Sequence, residues 1–148
     1  MTRLTRDQID DDLYLLLRTI YHYEKLLESK TGLDFQKLYL LLHLVNESPL
    51  RLTEVAKELN IPMFSASRLV DRMVSLGLVG KVQDESDKRS ISISLQPQGR
   101  ALIDDLEHRS YDRIQKNFGD LKDDDFNLVM PVVAKLHRIL EVSEKVNK

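Results

Sequence analysis

Between Gly77 and Leu95 the apolar spacing of this chain changes, and that change limits its folds more than any other feature. On both sides of the interval, apolar residues recur every three or four positions, as on one face of a helix. Within it, Ile91-Ser92-Ile93-Ser94-Leu95 alternates strictly apolar and polar, as a half-buried strand must. Leu78-Val79-Gly80-Lys81-Val82 offers a partner strand. Gln83 to Ser90, polar and mostly charged, is too wet for a core and suits a protruding hairpin tip. The expected class is therefore mainly α with one small antiparallel β-hairpin.

The helices can be placed around that hairpin. Ile9, Leu13, Leu16, Leu17, Ile20, Glu24 and Leu27 follow amphipathic spacing with one polar exception, and Gly32 closes the segment. Asp10, Asp11 and Asp12 are expected in its first turns, where carboxylates favour the positive end of the dipole. A second helix, Asp34 to about Asn46, has Asp34 as N-cap and is apolar on nearly every side, so it should sit centrally. Ser48-Pro49 ends it. A short helix over Thr53–Leu59 precedes a tight break at Asn60-Ile61-Pro62. A longer one runs from about Met63 to Leu76, with Gly77 as terminator. After the hairpin, Pro97 and Gln98 open a helix that Gly119 breaks. Asp123-Asp124-Asp125 start a last one, which Pro131 should kink. One domain over 1–148 is expected, with a lobe at 34–96 and flanking helices at 7–31 and 97–148.

Composition removes several functions. The 148 residues include no cysteine, which excludes disulfides, a Cys-based zinc site and a thiol redox switch. No apolar run approaches the roughly 18 residues of a membrane span. Met1-Thr2-Arg3-Leu4-Thr5-Arg6-Asp7 has no apolar stretch behind it, so no signal peptide is read and the cytoplasm is expected. The net charge of −2 argues, taken alone, against nucleic acid. Its distribution argues the other way: residues 51–100 carry eight basic against six acidic side chains, and both flanking thirds are net acidic.

Helix, tight turn, helix and hairpin is the order of a winged helix-turn-helix, whose second helix fits the major groove of duplex DNA. On that helix Ala66, Leu69, Val70 and Met73 share the face expected to meet the core. Met63, Phe64, Ser65, Ser67, Arg68, Asp71 and Arg72 then point outward. The two serines suit phosphates or base edges. Arg68 suits guanine N7 and O6 in bidentate fashion. Arg72 has two readings, a phosphate contact or a pair with Asp71 or another acid. A solvated face on a small domain is the plainer account of both arginines.

Leu52-Thr53-Glu54-Val55-Ala56-Lys57-Glu58-Leu59, Ser67-Arg68-Leu69-Val70-Asp71-Arg72-Met73 and Gly77-Leu78-Val79 resemble the multiple-antibiotic-resistance regulator (MarR) family. So do Asp84, Asp87-Lys88-Arg89-Ser90 and Gly99-Arg100-Ala101-Leu102, with Gln96 where Thr is usual. The resemblance covers about residues 35–103. It implies a ligand-responsive transcriptional regulator, more often a repressor, whose first and last helices interlock two chains. The homodimer would address a pseudo-palindromic site in double-stranded DNA. It also implies that the wing Arg89 enters the minor groove, oriented by Asp87, with Lys88 beside them. One departure stands out: relatives have a Ser cap and then Arg-Ser where this chain has Pro62, Met63 and Phe64. Two readings of Met63 and Phe64 stay open, contact with thymine methyls or tucking inward against the preceding helix.

Members of that family often respond to small aromatic or phenolic anions bound between the dimerisation helices and the DNA-binding lobe. The matching residues here are Tyr14, Arg18, Tyr21, His22, Tyr39 and His43, although Tyr and His at helix positions are commonly packing residues. A zinc-responsive alternative would draw on His22, Glu24, His43, Glu107 and His108, without any His pair at i, i+4 spacing. No cofactor is implied. For an enzyme, the two Asp triplets are the conspicuous carboxylate clusters, and helix starts explain both; no phosphate loop or nucleophile elbow is present. A winged helix that binds a protein instead of DNA remains a further alternative.

Overall fold

The computed structural model describes residues 5–83, 90–119 and 123–139. The chain divides into two compact units, Met1–Leu106 and Glu107–Lys148. In order, the elements are α1 (Arg6–Thr31), α2 (Phe35–Asn46), β1 (Leu50–Arg51), α3 (Leu52–Glu58), α4 (Met63–Ser75), β2 (Val79–Gln83), β3 (Ile91–Leu95), α5 (Pro97–Phe118) and α6 (Asp123–Ile139).

Helix α1 begins earlier than its apolar spacing indicates. The Thr5 hydroxyl accepts from the Gln8 backbone N–H at 3.3 Å, and Gln8 Oε1 accepts from the Thr5 N–H at 3.0 Å. This reciprocal box satisfies two of the first-turn donors. The acid in the first turn is thus Asp7, and Asp10, Asp11 and Asp12 lie beyond it. The expectation that they compensate the helix start is corrected: the box contains no apolar residue, so periodicity could not locate it. At the far end Gly32 adopts φ 71°, and its N–H reaches Glu28 O at 2.8 Å. A left-handed stop of this kind favours glycine.

Helix α2 is the centre of the first unit. Leu38, Leu40, Leu41 and Leu44 are fully buried, and around them pack Val55 of α3, Ala66, Val70 and Met73 of α4, Ile93 of β3 and Ile103 of α5. Its N-cap is Asp34, whose Oδ1 accepts from the Lys37 backbone N–H at 3.1 Å while Oδ2 pairs with the Lys37 ammonium.

Between α3 and α4 the chain turns at Asn60, with φ 50°, and Ile61 N–H bonds back to Ala56 O at 3.0 Å. Asn tolerates this left-handed conformation better than most residues. Pro62 precedes the first turn of α4 and gives no side-chain cap. Past Gly77, strands β2 and β3 pair antiparallel from Val79↔Leu95 to Gln83↔Ile91. A third strand, β1, adds to the other edge of β3 through Leu50↔Ile93 and Arg51↔Ser92, so the order is β1-β3-β2. The hairpin is therefore part of a three-stranded sheet; two residues are too few to show a period. At the start of α5, Gly99 is required by close approach, since a Cβ there would lie 2.3 Å from the Leu78 carbonyl oxygen.

In the second unit α6 begins at Asp123 and continues through Pro131, with Leu128, Val129 and Val132 exposed. On the part of α5 that belongs to this unit, Tyr111 and Ile114 are exposed. Among the described residues, no helix is long and apolar enough to cross a membrane.

The Asp34 cap carries a pH signature. Burial pushes its carboxyl up, but the hydrogen bonds and charge of Lys37 outweigh this and hold it below the ordinary carboxylate value. A lowered folded-state value adds stability above the unfolded carboxylate value, about 3.9, that is lost as pH falls through the folded one. Asp34→Asn, which keeps an oxygen for the cap but no charge, should flatten the loss of stability below about pH 4. Urea unfolding across that range checks it.

Candidate nucleic-acid interface

Helix α4 separates two faces by its own spacing. Ala66, Val70 and Met73 are fully buried, and Leu69 packs partly against the same core. On the opposite side Met63, Phe64, Arg68 and Arg72 are exposed, while Ser65 and Ser67 are half-buried at the margins. Phe64 and Arg68 stand one turn apart, as do Arg68 and Arg72, so an apolar tip leads into a row of two guanidinium groups.

Neither arginine has an acidic partner among the described residues. Asp71, the carboxylate between them in sequence, pairs instead with Lys81 of β2 at 2.7 Å. The pair is exposed enough that its worth to stability is about 1 kcal/mol or less. Its effect on the surface is larger: it ties the sheet to α4 and neutralises the one acid on the exposed face, leaving Arg68 and Arg72 as uncompensated cations. Sequence spacing missed Lys81 because the contact joins two elements of different period.

Met63 is 46% exposed and Phe64 68% exposed, so both present apolar area at the surface. The wing residues Asp87, Lys88 and Arg89 lie outside the described residues.

The six residues considered for an effector lie on α1 and α2. Tyr14, Arg18, Tyr21 and His22 are exposed along α1, with the Tyr21 and His22 rings edge to face at 5.6 Å. On α2 the rings of Phe35, Tyr39 and His43 stack in a ladder, at 6.2 and 6.4 Å between centroids. Tyr39 Oη donates to Glu58 Oε1 of α3 at 2.7 Å. None of the six lines the cavity of about 310 Å³ whose walls include Thr31, Lys37, Arg72, Leu76, Gln98 and Leu102. That cavity was not legible in the sequence, since its residues come from four separate segments. Among the described residues, no group of three or more His, Asp or Glu side chains is placed to hold a metal ion, so the zinc-responsive reading gains no support.

A model of the MarR family matches residues 31–90, from the end of α1 to the residue before β3. That match spans less than half of the chain and makes its central lobe similar to the MarR family. The chain's similarity extends past that segment: it is 23% identical over 145 residues to the HTH-type transcriptional repressor MdtR of Bacillus subtilis, covering 95% of this chain and 94% of MdtR. A MarR family protein from Bacillus stearothermophilus has the same fold, with TM-score 0.75, 21% identity and coverage of 93% and 99% of the two chains. So has BpsR of Bordetella bronchiseptica, with TM-score 0.61, 22% identity and coverage of 84% and 98%; 6-hydroxynicotinic acid regulates DNA binding by that protein. In sequence and in fold, what the chain is similar to is a set of transcriptional regulators.

The Tyr39–Glu58 bond joins α2 to the first helix of the motif and carries its own test. Hydrogen bonding to Glu58, then burial, then the Glu58 charge raise the Tyr39 phenol above its ordinary value. A raised folded-state value contributes stability below the unfolded tyrosine value, lost as pH rises through the folded one. Glu58→Gln should lower the titration midpoint of one tyrosine, read as tyrosinate absorbance against the wild type.

Proposed function

We propose that this regulator binds DNA as a homodimer and represses transcription from a pseudo-palindromic operator, releasing it when a small aromatic or phenolic anion binds. The observation that carries the reading is the division of α4: a buried face fixed to the core, and an exposed face on which Arg68 and Arg72 have no carboxylate partner among the described residues. A helix so arranged can lie in a major groove with Arg68 on a guanine edge and Arg72 on phosphate. By resemblance to the family, Arg89 would read the adjacent minor groove, with Asp87 orienting it and Lys88 adding charge.

Two further observations support the dimer. Ile9, Leu13, Leu17 and Ile20, which share one stripe of α1, are all exposed, and so are Leu128, Val129 and Val132 on α6. Apolar stripes of this length call for cover, and a second copy supplies it symmetrically. Duplication also compensates for the small basic face of each protomer.

Footprinting on the DNA upstream of the protein's own gene tests the assignment. Wild type should protect two half-sites about one helical turn apart. Arg89→Ala should weaken protection with the fold intact. Arg68→Ala should reduce discrimination between operator and random DNA by about 1–3 kcal/mol per guanine contact. Unchanged affinity in both variants would sink the interface, and binding insensitive to competing duplex and to salt would favour a protein partner.

For the effector, the aromatic acid that regulates BpsR points to the same chemistry, and the site would use Tyr14, Arg18, Tyr21, His22, Tyr39 and His43. Salicylate at a hundredfold its Kd should stabilise the protein by about 2.7 kcal/mol, read as a rise in melting temperature, and weaken operator binding. Arg18→Ala should lose both effects. No change in melting temperature or DNA affinity with wild type would discard the site.

A further inference from the structure

Resting on the DNA-binding reading, we infer that the tip of α4 reads thymine by its methyl group, with Phe64 and Met63 as the specificity-determining side chains. The first turn of a recognition helix is the part that meets base edges in the major groove. Here that turn offers little to hydrogen-bond with. Pro62 at the N-cap supplies no side-chain bond, Met63 and Phe64 carry no donor, and Ser65 is half-buried. What the turn does offer is apolar area: Phe64 is 68% exposed and Met63 46%.

Exposure of an aromatic ring on a single surface turn normally needs no explanation. Two features make it informative here. The ring stands one turn from Arg68, a cation with no acidic partner among the described residues, so it shares the surface that faces a polyanion. The core beneath is complete without it, since Ala66, Val70 and Met73 already bury the inner face of α4. Phe64 therefore serves neither packing nor solubility. In the major groove the one apolar group on a base-pair edge is the C5-methyl of thymine, and a phenyl ring or thioether chain can shield it from water. A protein partner would suit the ring but not the two uncompensated guanidinium groups beside it, so duplex DNA is the occupant that fits both halves of the surface.

The arrangement divides the labour along one helix. Arg68 would read a guanine by hydrogen bonds, and the tip one turn earlier would read a neighbouring thymine by contact alone. Burying one methyl is worth about fourfold in affinity per site.

The experiment begins with selection of duplexes from a random library by the full-length protein. Each thymine of the selected sequence is then replaced by uracil, which removes the methyl and nothing else. Wild type should lose about fourfold in affinity at one or two thymines of each half-site, and adding Phe64→Ala or Met63→Ala should abolish the thymine–uracil difference. The slope of affinity against salt should stay the same in both variants, because no phosphate contact is lost. Equal binding of thymine and uracil duplexes at every position would overturn the inference while leaving DNA binding intact. So would a uracil penalty that persists in both variants. Failure to enrich any duplex at low salt would overturn the DNA-binding reading itself, and this inference with it.

Discussion

The burial of α2 is the constraint on which the rest of the first unit depends. Leu38, Leu40, Leu41 and Leu44 lie on more than one side of the helix and are all fully enclosed, so elements must pack around it and not merely against it. Helices α3 and α4, strand β3 and the start of α5 each contribute at least one fully buried side chain to that enclosure. Helix α4 is thus held by a core that closes around a helix outside the helix-turn-helix itself. Its outward face is free to vary because its inward face is not.

The same logic explains why so much of this fold was legible in sequence and where legibility stopped. The helix spacing of Ala66, Val70 and Met73 identified the inner face of α4, and alternation at Ile91-Ser92-Ile93 identified β3, because both are properties of a single element. Features made by two elements left no such mark. β1 is only Leu50 and Arg51, and it exists because β3 offers an edge. The Asp71–Lys81 pair joins residues ten apart in sequence that differ in period. Caps fall in between: Asp34 could be read because an apolar run follows it directly, whereas the Thr5–Gln8 box precedes residues that never enter the core.

Helix α1 shows what periodicity does and does not say. Its stripe from Ile9 to Leu27 has the spacing of an amphipathic face, yet within one chain only Leu27, near the C-terminal end, is buried. Hydrophobic spacing states that a surface is better covered and is silent on what covers it. In the proposed homodimer the cover is the partner, and the monomer's exposed stripe and the regulator's two-fold target become one requirement. The exposed Tyr14, Arg18 and Tyr21 on the same helix would then be completed as a site only by assembly, so an effector that binds them would act on protomer geometry and through it on half-site spacing.

Charge gives the sharpest lesson about scale. A net charge of −2, taken alone, argues against a polyanion partner, but net charge is a sum over surfaces that never meet the same partner. What matters at contact range is the field within about a Debye length, some 8–10 Å in physiological salt. Over that distance on α4 the one local acid is occupied by Lys81, and two guanidinium groups remain. An acidic chain with a locally basic helix binds DNA weakly unless it is oriented correctly, because the acidic remainder repels the duplex in most other poses. In the proposed DNA-binding role, acidity elsewhere on the molecule would oppose indiscriminate binding and leave specificity to the few residues of the basic face, the division expected of a regulator that must leave most of a genome unoccupied.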